Sequence, residues 1–397
     1  TTYHAHGRAE DGSLIYDDNN GDGIWDPVHT GDEKLGYTVG RSGTMTTYLE
    51  GSLTYNRIFA DQHRVGALFL YNQKIRTNTQ AESGDDALPY KNQGLAGRLT
   101  YAFRDTYFAE FNVGYNGSEN FARGHRFGFF PAGAIGWLVS NEKWFEPVTK
   151  VVDVLKLKAS YGLVGNDDIG GQRRWVYEST IVNGGSWNYG ESGNQGGQGI
   201  VVGEVENLSA SWEEALKLNV GFELSLFEKV KLQADYFREK RSGIFLQRSG
   251  LPIIVGISTI PHINVGETLN QGIDANLEYS QKISNVFVTA RGNFTYNRNK
   301  MINNDDPDWE YKYQNRIGKP FGSYGSVQPF GLKALGLFAS QEEIDNSPKQ
   351  TYGEYRVGDI RYQDINGDGV IDSQDEVALG YTNMPEIVYG FGATAQW

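Results

Sequence analysis

The sequence predicts an all-β chain, an antiparallel up-and-down transmembrane β-barrel with long extracellular loops. Three observations predict this fold class. Apolar and polar residues alternate over segments of about ten residues, the length of a tilted strand that crosses a bilayer. Aromatic residues make up 13 % of the chain, and many of them close the apolar face of a predicted strand. Short connections alternate with long ones rich in Gly and Asn, as periplasmic turns alternate with extracellular loops.

The clearest predicted strand lies between Glu214 and Phe227. From Leu216 to Leu226, Leu, Val and Phe occupy every second position, and Lys, Asn, Gly, Glu and Ser occupy the positions between them. A period of two places these classes on opposite faces of a strand, one suited to lipid and one to a polar lumen. About a dozen segments follow this pattern. They include those that begin near Leu49, Val65, Leu95, Tyr107, Leu155, Val230, Ile273, Val286 and Ile387.

Aromatic residues at the ends of the apolar faces favour a membrane barrel over a Gly-rich soluble β-sandwich, which the alternation also allows. Barrels carry girdles of aromatic side chains where they cross the membrane–water interface. The candidate girdle residues are Tyr55, Phe103, Tyr115, Tyr161, Tyr236, Tyr279 and Tyr296.

Composition excludes several other classes of protein. No run approaches the ~20 apolar residues of a membrane-spanning helix. The chain has no Cys and therefore no disulfide scaffold. Its net charge of −13 argues against a nucleic-acid partner. The chain starts at Thr1 without a signal-peptide pattern and stops at Trp397 within an alternating segment, so we expect a piece of a longer mature protein.

No sequence motif indicates catalysis. A nucleophile elbow, a phosphate-binding loop and a dinucleotide fingerprint are all absent from the sequence. Acidic pairs such as Glu213 and Glu214 are read more simply as solvated loop or lumen residues. We therefore expect no enzymatic activity.

One segment, "DINGDGVIDSQD", has the spacing of a calcium-binding loop. Its oxygen ligands would come from Asp364, Asn366, Asp368, the Val370 carbonyl, Asp372 and Asp375. An EF-hand ends on a bidentate Glu where this loop has Asp375, so we expect a static structural Ca²⁺ site and not a sensor. The alternative is a string of Asn, Asp and Gly turns that binds no metal. We expect this segment to lie in a long extracellular connection between two barrel strands, one near Gly331–Phe338 and one at Ile387–Trp397.

A second segment near the start of the chain has the same spacing and a weaker ligand set. Its candidates are Asp18, Asn20, Asp22, the Ile24 carbonyl and Asp26. The last position is His29, a poor calcium ligand, so Asp32 or Glu33 would have to replace it. Helical periodicity flanks neither segment, and two EF-hands are not expected.

Four aromatic residues in predicted loops are candidate ligand contacts. They are Trp175, Trp187, Tyr189 and Trp309. Exposed rings stack on sugars and other flat ligands, but rings in loops also serve as packing anchors, and the sequence does not separate these roles.

Several blocks of sequence carry a family resemblance. In "NGSENFARGHRFGFFPAGAIGW" an N-G-S-x-x-F loop precedes an F-G-x-F-P strand, with Ala132 where Ser is usual. "LKLKASYGLVGN" follows, with Lys158 where Arg is usual, and "SWEEALKLNVGFELSLF", "INVGETLNQGIDANLEY" and "GDIRYQDINGDGVIDSQDEVALGYTNMPEIVYGFGA" come after it. In this order the blocks resemble SusC-type TonB-dependent outer-membrane transporters. The resemblance runs from about Tyr48 to Trp397.

The resemblance implies an outer-membrane barrel of roughly 22 strands in a Gram-negative bacterium, closed by an N-terminal plug. Such proteins import bulky nutrients beneath a SusD-like surface lipoprotein that acts as a lid, and the TonB complex pulls on the plug. On this plan residues 1–397 are the C-terminal portion of the barrel, without the plug and the final strands. The implied partners are the SusD-like lipoprotein, the TonB complex through the plug, outer-membrane lipid, and an oligosaccharide or peptide ligand.

The leading hypothesis is that this chain supplies the barrel wall and extracellular loops of an importer for a bulky nutrient, with a glycan favoured over a peptide. Two alternatives stay open on the sequence. One is a surface module that binds glycans without transporting them, and the other is a soluble β-domain stabilised by calcium.

Overall fold

The computed structural model describes residues 2–3, 5–10, 13–16, 27–29, 43–80, 87–170, 174–190, 193, 195–248, 250–251, 254, 259–306, 309–322, 325–326 and 328–397. These divide into two compact units, Thr1–Met45 with Thr77–Leu88, and Thr46–Arg76 with Pro89–Trp397. In the smaller unit, short antiparallel pairs join Thr2–Tyr3 to Pro27–His29 and Ala5–Arg8 to Leu14–Tyr16.

Within the described residues, eleven strands form one sheet in which each strand lies beside its sequence neighbour. The strands are β1 (Thr44–Phe59), β2 (His63–Asn78), β3 (Tyr90–Phe103), β4 (Tyr107–Ser118), β5 (Phe127–Leu138), β6 (Val152–Asn166), β7 (Glu213–Leu226), β8 (Val230–Gln247), β9 (His262–Ile283), β10 (Val286–Asn303) and β11 (Ile387–Gln396). This antiparallel meander confirms the predicted fold class, and the number of strands agrees with the expected dozen.

The register shows how the alternation specifies the sheet. Leu157 of β6 lies between Trp137 of β5 and Phe222 of β7, so apolar side chains meet on one face. The next residue, Lys158, pairs with Gly221 on the opposite face. A slip of one residue would turn every apolar side chain from lipid to lumen, and the burial pattern therefore fixes the register.

The shortest connections, residues 60–62, 104–106, 227–229 and 284–285, lie at one end of the sheet, as expected for periplasmic turns, and the longer connection 139–151 lies at the same end. The other connections lie at the opposite end, as expected for extracellular loops. Three of the short turns hold both central residues in the left-handed region. Their φ angles lie between 48° and 55° at Ala60–Asp61, Arg104–Asp105 and Phe227–Glu228. Left-handed central residues give the turn a twist that matches the flanking strands.

The longest connection spans residues 304–386 and contains the calcium-like segment. It includes antiparallel pairs of Phe321–Gly322 with Gly325–Ser326, Phe330–Gly331 with Val377–Ala378 and Ala334–Leu337 with Ile360–Tyr362, and a parallel pair of Lys349–Gln350 with Val370–Ile371. It also holds an α-helix, Gln341–Asp345, and 3₁₀ helices at Lys312–Gln314 and Ser373–Asp375.

The expected barrel strand near residues 331–338 was wrong. Ala334–Leu337 has only four residues and pairs with Ile360–Tyr362 inside the connection. A strand of four residues is too short to cross a bilayer, which requires roughly nine to eleven. The strand that precedes the calcium-like segment in the sheet is therefore β10.

Two further connections carry secondary structure. An antiparallel hairpin between β6 and β7 pairs Ile181–Tyr189 with Gln195–Val202. The connection between β5 and β6 contains 3₁₀ helices at Val139–Asn141 and Lys143–Val148. Among the described residues, no helix is long and apolar enough to span a membrane.

The left-handed turns give a test of stability. In Glu228→Gly, the loss of left-handed strain, about 1–2 kcal/mol, outweighs the added chain entropy of Gly, about 0.5–1 kcal/mol. We expect the free energy of unfolding, measured by urea titration in lipid vesicles, to rise by about 0.5–1 kcal/mol. The neighbouring Lys229→Gly should lower it, because Lys229 is not among the residues with positive φ. Equal effects of both substitutions would contradict this account.

Candidate functional site

A line of charged side chains crosses the polar face of the sheet. Lys158, Gly221 and Asp235 lie side by side on β6, β7 and β8. Because Gly221 has no side chain, Lys158 Nζ reaches across β7 to within 3.1 Å of Asp235 Oδ1, and a Cβ atom at position 221 would overlap that carboxylate. Glu223 Oε1 lies 3.5 Å from the same Nζ, and Gln233 Nε2 donates to Asp235 Oδ2 at 2.9 Å.

A second charged group lies closer to the long loops. Arg241 Nη1 is 2.8 Å from Glu213 Oε1, and Arg241 Nη2 is 2.9 Å from Glu239 Oε1. Lys217 Nζ lies 3.2 Å from the other oxygen of Glu239. Glu213, which the sequence could assign only to a loop or the lumen, therefore belongs to the polar face of the sheet.

Similar pairs extend the pattern toward both edges of the sheet. Glu278 contacts Arg291 at 3.0 Å and Lys231 at 3.8 Å, and Arg98 contacts Glu110 at 3.0 Å. Solvated pairs of this kind contribute about 0–1 kcal/mol each. Their main consequence is that the polar face of the sheet, here called the polar wall, carries positive and negative side chains close together.

An aromatic cluster ties two long loops to the ends of the strands. It consists of Phe121, Phe130, Ile169, Val176, Ala210 and Trp212, with Leu163 and Phe245 packed against it. The ring centroid of Trp212 lies 5.7 Å from Phe121 and 5.2 Å from Phe130. Trp212 Nε1 also donates to the Arg126 carbonyl at 3.2 Å. The connections that follow β4 and β6 are thus held against one another.

Two glycines make the space for this cluster. A Cβ atom at Gly128 or at Gly165 would overlap the ring of Phe130. The ring therefore lies directly on the backbone, where only Gly leaves room. Sequence reasoning missed this contact, although the Gly in "LVGN" and the Phe in "FGFFP" stand in segments that it had singled out.

The calcium-like segment is organised around Asp375, which is fully buried. Asp375 Oδ1 accepts hydrogen bonds from the backbone N–H groups of Ile365, at 2.7 Å, and Asn366, at 3.3 Å. Asp375 Oδ2 accepts one from the N–H of Asp372 at 3.1 Å. Both oxygens are therefore engaged in holding the loop closed, where a bidentate calcium ligand would turn them to the ion.

The other predicted ligands cap turns of the same loop. Asp364 accepts from the N–H groups of Gly367 and Gly369, and Asp368 Oδ1 accepts from the N–H of Val370 at 2.8 Å. Asp372 Oδ1 accepts from Gln374 N at 2.7 Å. Across the described ranges, no group of three or more His, Cys, Asp and Glu side chains is placed to hold a metal ion.

The residues of the second calcium-like segment lie outside the described residues. These are Asp18, Asn20, Asp22, Ile24 and Asp26.

Two stacked tyrosines join the calcium-like segment to the chain that follows β10. Tyr311 and Tyr313 have ring centroids 5.3 Å apart, and the Tyr313 hydroxyl donates to the Gln374 carbonyl at 2.7 Å. Desolvation, followed by the negative charge of Asp375, raises the pKa of Tyr313.

Two of the four predicted ligand aromatics have polar partners within the protein. The Arg174 guanidinium lies 4.1 Å from the ring of Trp175 and 3.7 Å from that of Tyr90, so one face of Trp175 is covered. Trp309 Nε1 donates to Asp306 Oδ2 at 3.3 Å. These contacts agree with a role in loop packing, and the ligand-binding role of both residues stays a prediction.

The other two, Trp187 and Tyr189, lie on the first strand of the β6–β7 hairpin. The side chain of Trp187 is close to Gly197 and Gly199 of the second strand, where Cβ atoms would lie 2.7 Å and 3.3 Å from its ring. Glycine thus supports the ring from the hairpin side, while 52 % of Trp187 and 56 % of Tyr189 stay exposed. Both rings therefore present exposed aromatic surface on this hairpin.

A known protein family matches nearly the whole chain. The family model described as TonB dependent receptor-like, beta-barrel matches residues 2–392. The chain belongs to this family. Family membership makes it an outer-membrane protein of a Gram-negative bacterium, and the alternative of a soluble β-domain is wrong. The TonB-dependent family consists of transporters and not of enzymes.

Named relatives in the TonB-dependent family are longer than this chain. TonB-dependent receptor P3 of Formosa agariphila is 26 % identical over 387 residues, which cover 88 % of this chain and 37 % of the relative. TonB-dependent receptor SusC of Bacteroides thetaiotaomicron is 23 % identical over 312 residues, covering 77 % of this chain and 29 % of SusC. The chain thus spans about a third of the length of these receptors.

Solved structures agree on the fold of this TonB-dependent barrel. The RagAB peptide transporter superposes with a TM-score of 0.67 over 89 % of this chain and 40 % of that one, at 19 % identity. RagAB in its open-open state gives a TM-score of 0.65 over 89 % of this chain and 39 % of that one, also at 19 % identity.

The buried carboxylate of the calcium-like segment gives a second prediction. Asp375→Asn replaces one acceptor oxygen by an amide that faces the Asp372 N–H, and hydrogen bonds to a charged group contribute about 1.5–3 kcal/mol each. We expect faster amide hydrogen exchange across residues 364–376 of this TonB-dependent barrel, with unchanged exchange in its strands. Glu354→Gln, at an exposed position of the same connection outside residues 364–376, is the control and should have little effect. Equal exchange in both variants would contradict the assigned role of Asp375.

Proposed function

We propose that this chain supplies barrel wall and extracellular loops to a TonB-dependent importer of a bulky oligosaccharide. Two protein partners would act with the chain. One is a SusD-like surface lipoprotein that covers the extracellular loops, and the other is the TonB complex, which acts through a plug domain. The chain itself would have no catalytic activity. The names of SusC and RagAB among the related proteins support the assignment to this type of importer.

The exposed surface of the Trp187 ring is the observation that favours an oligosaccharide as the ligand. One side of the ring lies against glycine backbone, and Tyr189 follows on the same hairpin strand. A flat apolar surface with an exposed face suits the apolar face of a sugar ring, and the polar edge of Trp or Tyr is available for hydrogen bonds. The surface requires no charge on the ligand.

The polar wall supports the same ligand class. Its cations are matched by nearby carboxylates, as at Lys158 with Asp235 and at Arg241 with Glu213. A wall with paired charges does not create the one-signed field that concentrates a charged substrate. Hydroxyl-rich neutral ligands can exchange hydrogen bonds with such pairs at many positions.

A peptide is the second candidate ligand. The structural neighbour RagAB is a peptide importer, but the likeness is one of fold. Zwitterionic peptides would also meet both signs of charge on the wall. A surface module that binds glycans without transport would use the same hairpin and differ only in lacking translocation.

Substitution of the hairpin tryptophan tests the proposed ligand class. The full-length protein would be titrated calorimetrically with a library of neutral oligosaccharides and, separately, with a tryptic peptide digest. We expect heat from the oligosaccharides, and Trp187→Ala should weaken binding by about two- to tenfold, because aromatic stacking contributes about 0.5–1.5 kcal/mol.

The control for this titration is Ile200→Ala, which removes an exposed apolar side chain from the same hairpin. It should leave the affinity unchanged. Binding of the peptide digest alone would reject the oligosaccharide and favour a peptide importer. If the full-length protein with its plug binds oligosaccharides but cells with a TonB complex do not take them up, the non-transporting glycan-binding module is favoured.

The proposal includes one Ca²⁺ ion in the long connection between β10 and β11. Its ligands would be Asp364, Asn366, Asp368, Asp372 and the Val370 carbonyl, while Asp375 holds the loop closed. Oxygen ligands of this type suit a hard cation, and water would complete the roughly six to eight ligands that Ca²⁺ takes. The ion would stiffen the loop at the extracellular surface, which is a structural role.

Luminescence of bound Tb³⁺ tests this site directly, because Tyr311 and Tyr313 lie beside the loop and can sensitise it. The Tyr311 hydroxyl is 3.5 Å from Asn366 Nδ2. We expect a luminescence signal that Ca²⁺ displaces and that Asp364→Asn abolishes. Asp345→Asn, in the short helix of the same connection, should keep the signal. The absence of a luminescence signal, or a signal that Asp364→Asn leaves unchanged, would exclude the proposed ion.

A further inference from the structure

The periplasmic connection between β5 and β6 is built differently from the two-residue turns beside it. It contains two 3₁₀ helices and is tied to the neighbouring β3–β4 turn by the side chain of Asn141. Asn141 Nδ2 lies 3.4 Å from the carbonyl oxygens of Arg104 and Asp105 and 3.2 Å from Thr106 Oγ1. The connection therefore has a fixed position at the periplasmic rim.

A row of stacked rings runs along this rim and continues into the connection. The ring centroids of Phe103 and Tyr107 are 6.4 Å apart, and those of Tyr107 and Trp137 are 6.3 Å apart with only 7° between the planes. Trp144, in the second 3₁₀ helix, lies 6.5 Å from Trp137. Rings of the sheet and of the connection thus form one surface.

The register places this surface on the lipid-facing side. Tyr107 pairs with Phe103 on one side and with Trp137 on the other, so all three side chains share a face. Ile135, two residues before Trp137, lies on that face with 67 % of its surface exposed. Trp144 therefore extends the lipid-facing wall beyond the end of the strands.

One carboxylate fixes the connection to the row. Glu142 Oε1 accepts a hydrogen bond from the Tyr107 hydroxyl at 2.5 Å and another from Trp137 Nε1 at 3.1 Å. The polar edges of two girdle rings are thereby satisfied by the segment itself. Phe145, the next residue after Trp144, is buried, and the two ring centroids lie 5.7 Å apart. The buried ring anchors the second 3₁₀ helix.

The outward side of the connection combines apolar and basic side chains. Trp144, Val148 and Val151 are exposed, at 62 %, 44 % and 45 %. Lys143 precedes Trp144 and Lys150 lies between Val148 and Val151; both lysines are exposed, as is Glu146 between them. Trp with aliphatic residues between lysines is the composition that settles at the headgroup level of a bilayer, where rings partition into the interface and lysines reach phosphate.

We propose that residues 139–151 are an interfacial anchor that binds phospholipid of the periplasmic leaflet. Trp144, Val148 and Val151 lie among the glycerol and headgroup region, and Lys143 and Lys150 contact lipid phosphates. Glu142 is a positioning residue, which holds the segment against the girdle. The continuity of the exposed surface with the lipid-facing wall selects lipid, and not a periplasmic protein, as the occupant.

Labelling at a single introduced Cys measures where the segment lies, because residues 1–397 contain no Cys and any Cys elsewhere in the full-length protein is first replaced by Ser. The full-length protein carrying Trp144→Cys is labelled with an environment-sensitive fluorophore and reconstituted in vesicles of phosphatidylethanolamine and phosphatidylglycerol. We expect strong quenching by a lipid with a nitroxide on its headgroup and several-fold weaker quenching by aqueous iodide than at a control site. The control is Gln341→Cys, on the exposed helix of the long extracellular connection.

A label at position 144 that iodide reaches as easily as the label at 341 would overturn the proposal. So would protection that occurs in native membranes and not in the vesicles, because a protein partner would then cover the segment. Glu142→Ala should increase iodide access at 144 without changing it at 341, as a positioning role requires.

The headgroup contact has its own test. Lys143→Gln combined with Lys150→Gln should lower the phospholipid phosphorus that stays with the purified protein after a delipidating detergent wash. Lys349→Gln, an exposed lysine of the long connection, is the control and should retain the wild-type amount. Equal amounts of bound phosphorus in the double variant and the control would show that Lys143 and Lys150 do not bind lipid phosphate.

Discussion

A bilayer offers no water to the peptide backbone, so every N–H and C=O group of the spanning segments must find a partner within the protein. In this chain the partners are the neighbouring strands of one antiparallel meander. Since each strand lies beside its sequence neighbour, the residues between strands need only reverse the chain direction. One end can then use two-residue turns, while the other end is free to carry loops of any length.

The pairing of strands also determines how the polar face is organised. Residues in register on three adjacent strands form a row across the sheet, and a glycine in the middle of such a row lets its two neighbours touch. Gly221 acts in this way for Lys158 and Asp235. Gly128 and Gly165 act differently and leave room for the ring of Phe130, as Gly197 and Gly199 do for the ring of Trp187. Much of the site is therefore built by side chains that lie on bare backbone.

The acidic loop illustrates how one sequence pattern can serve two purposes. Its Asp and Asn residues follow the spacing of a cation loop, and the same residues cap the turns of that loop. Asp375 is the clearest case, since it is fully buried and accepts three backbone hydrogen bonds. A carboxylate used in this way closes the loop by itself, which makes the frame of the loop independent of any ion.

The fold class, the face that each strand turns to lipid and the end of the barrel with the long loops can be predicted from the amino-acid sequence alone. Alternation with a period of two is a local property, visible in any window of about ten residues. The short strand Ala334–Leu337 was misplaced, because alternation over a few residues does not reveal which partner a strand will choose. Which residues meet across the fold depends on the tertiary structure. The bond from Trp212 to the Arg126 carbonyl joins positions 86 residues apart, and Glu142 reaches back 35 residues to Tyr107. Such contacts depend on register and loop packing between distant segments, and no local pattern encodes them.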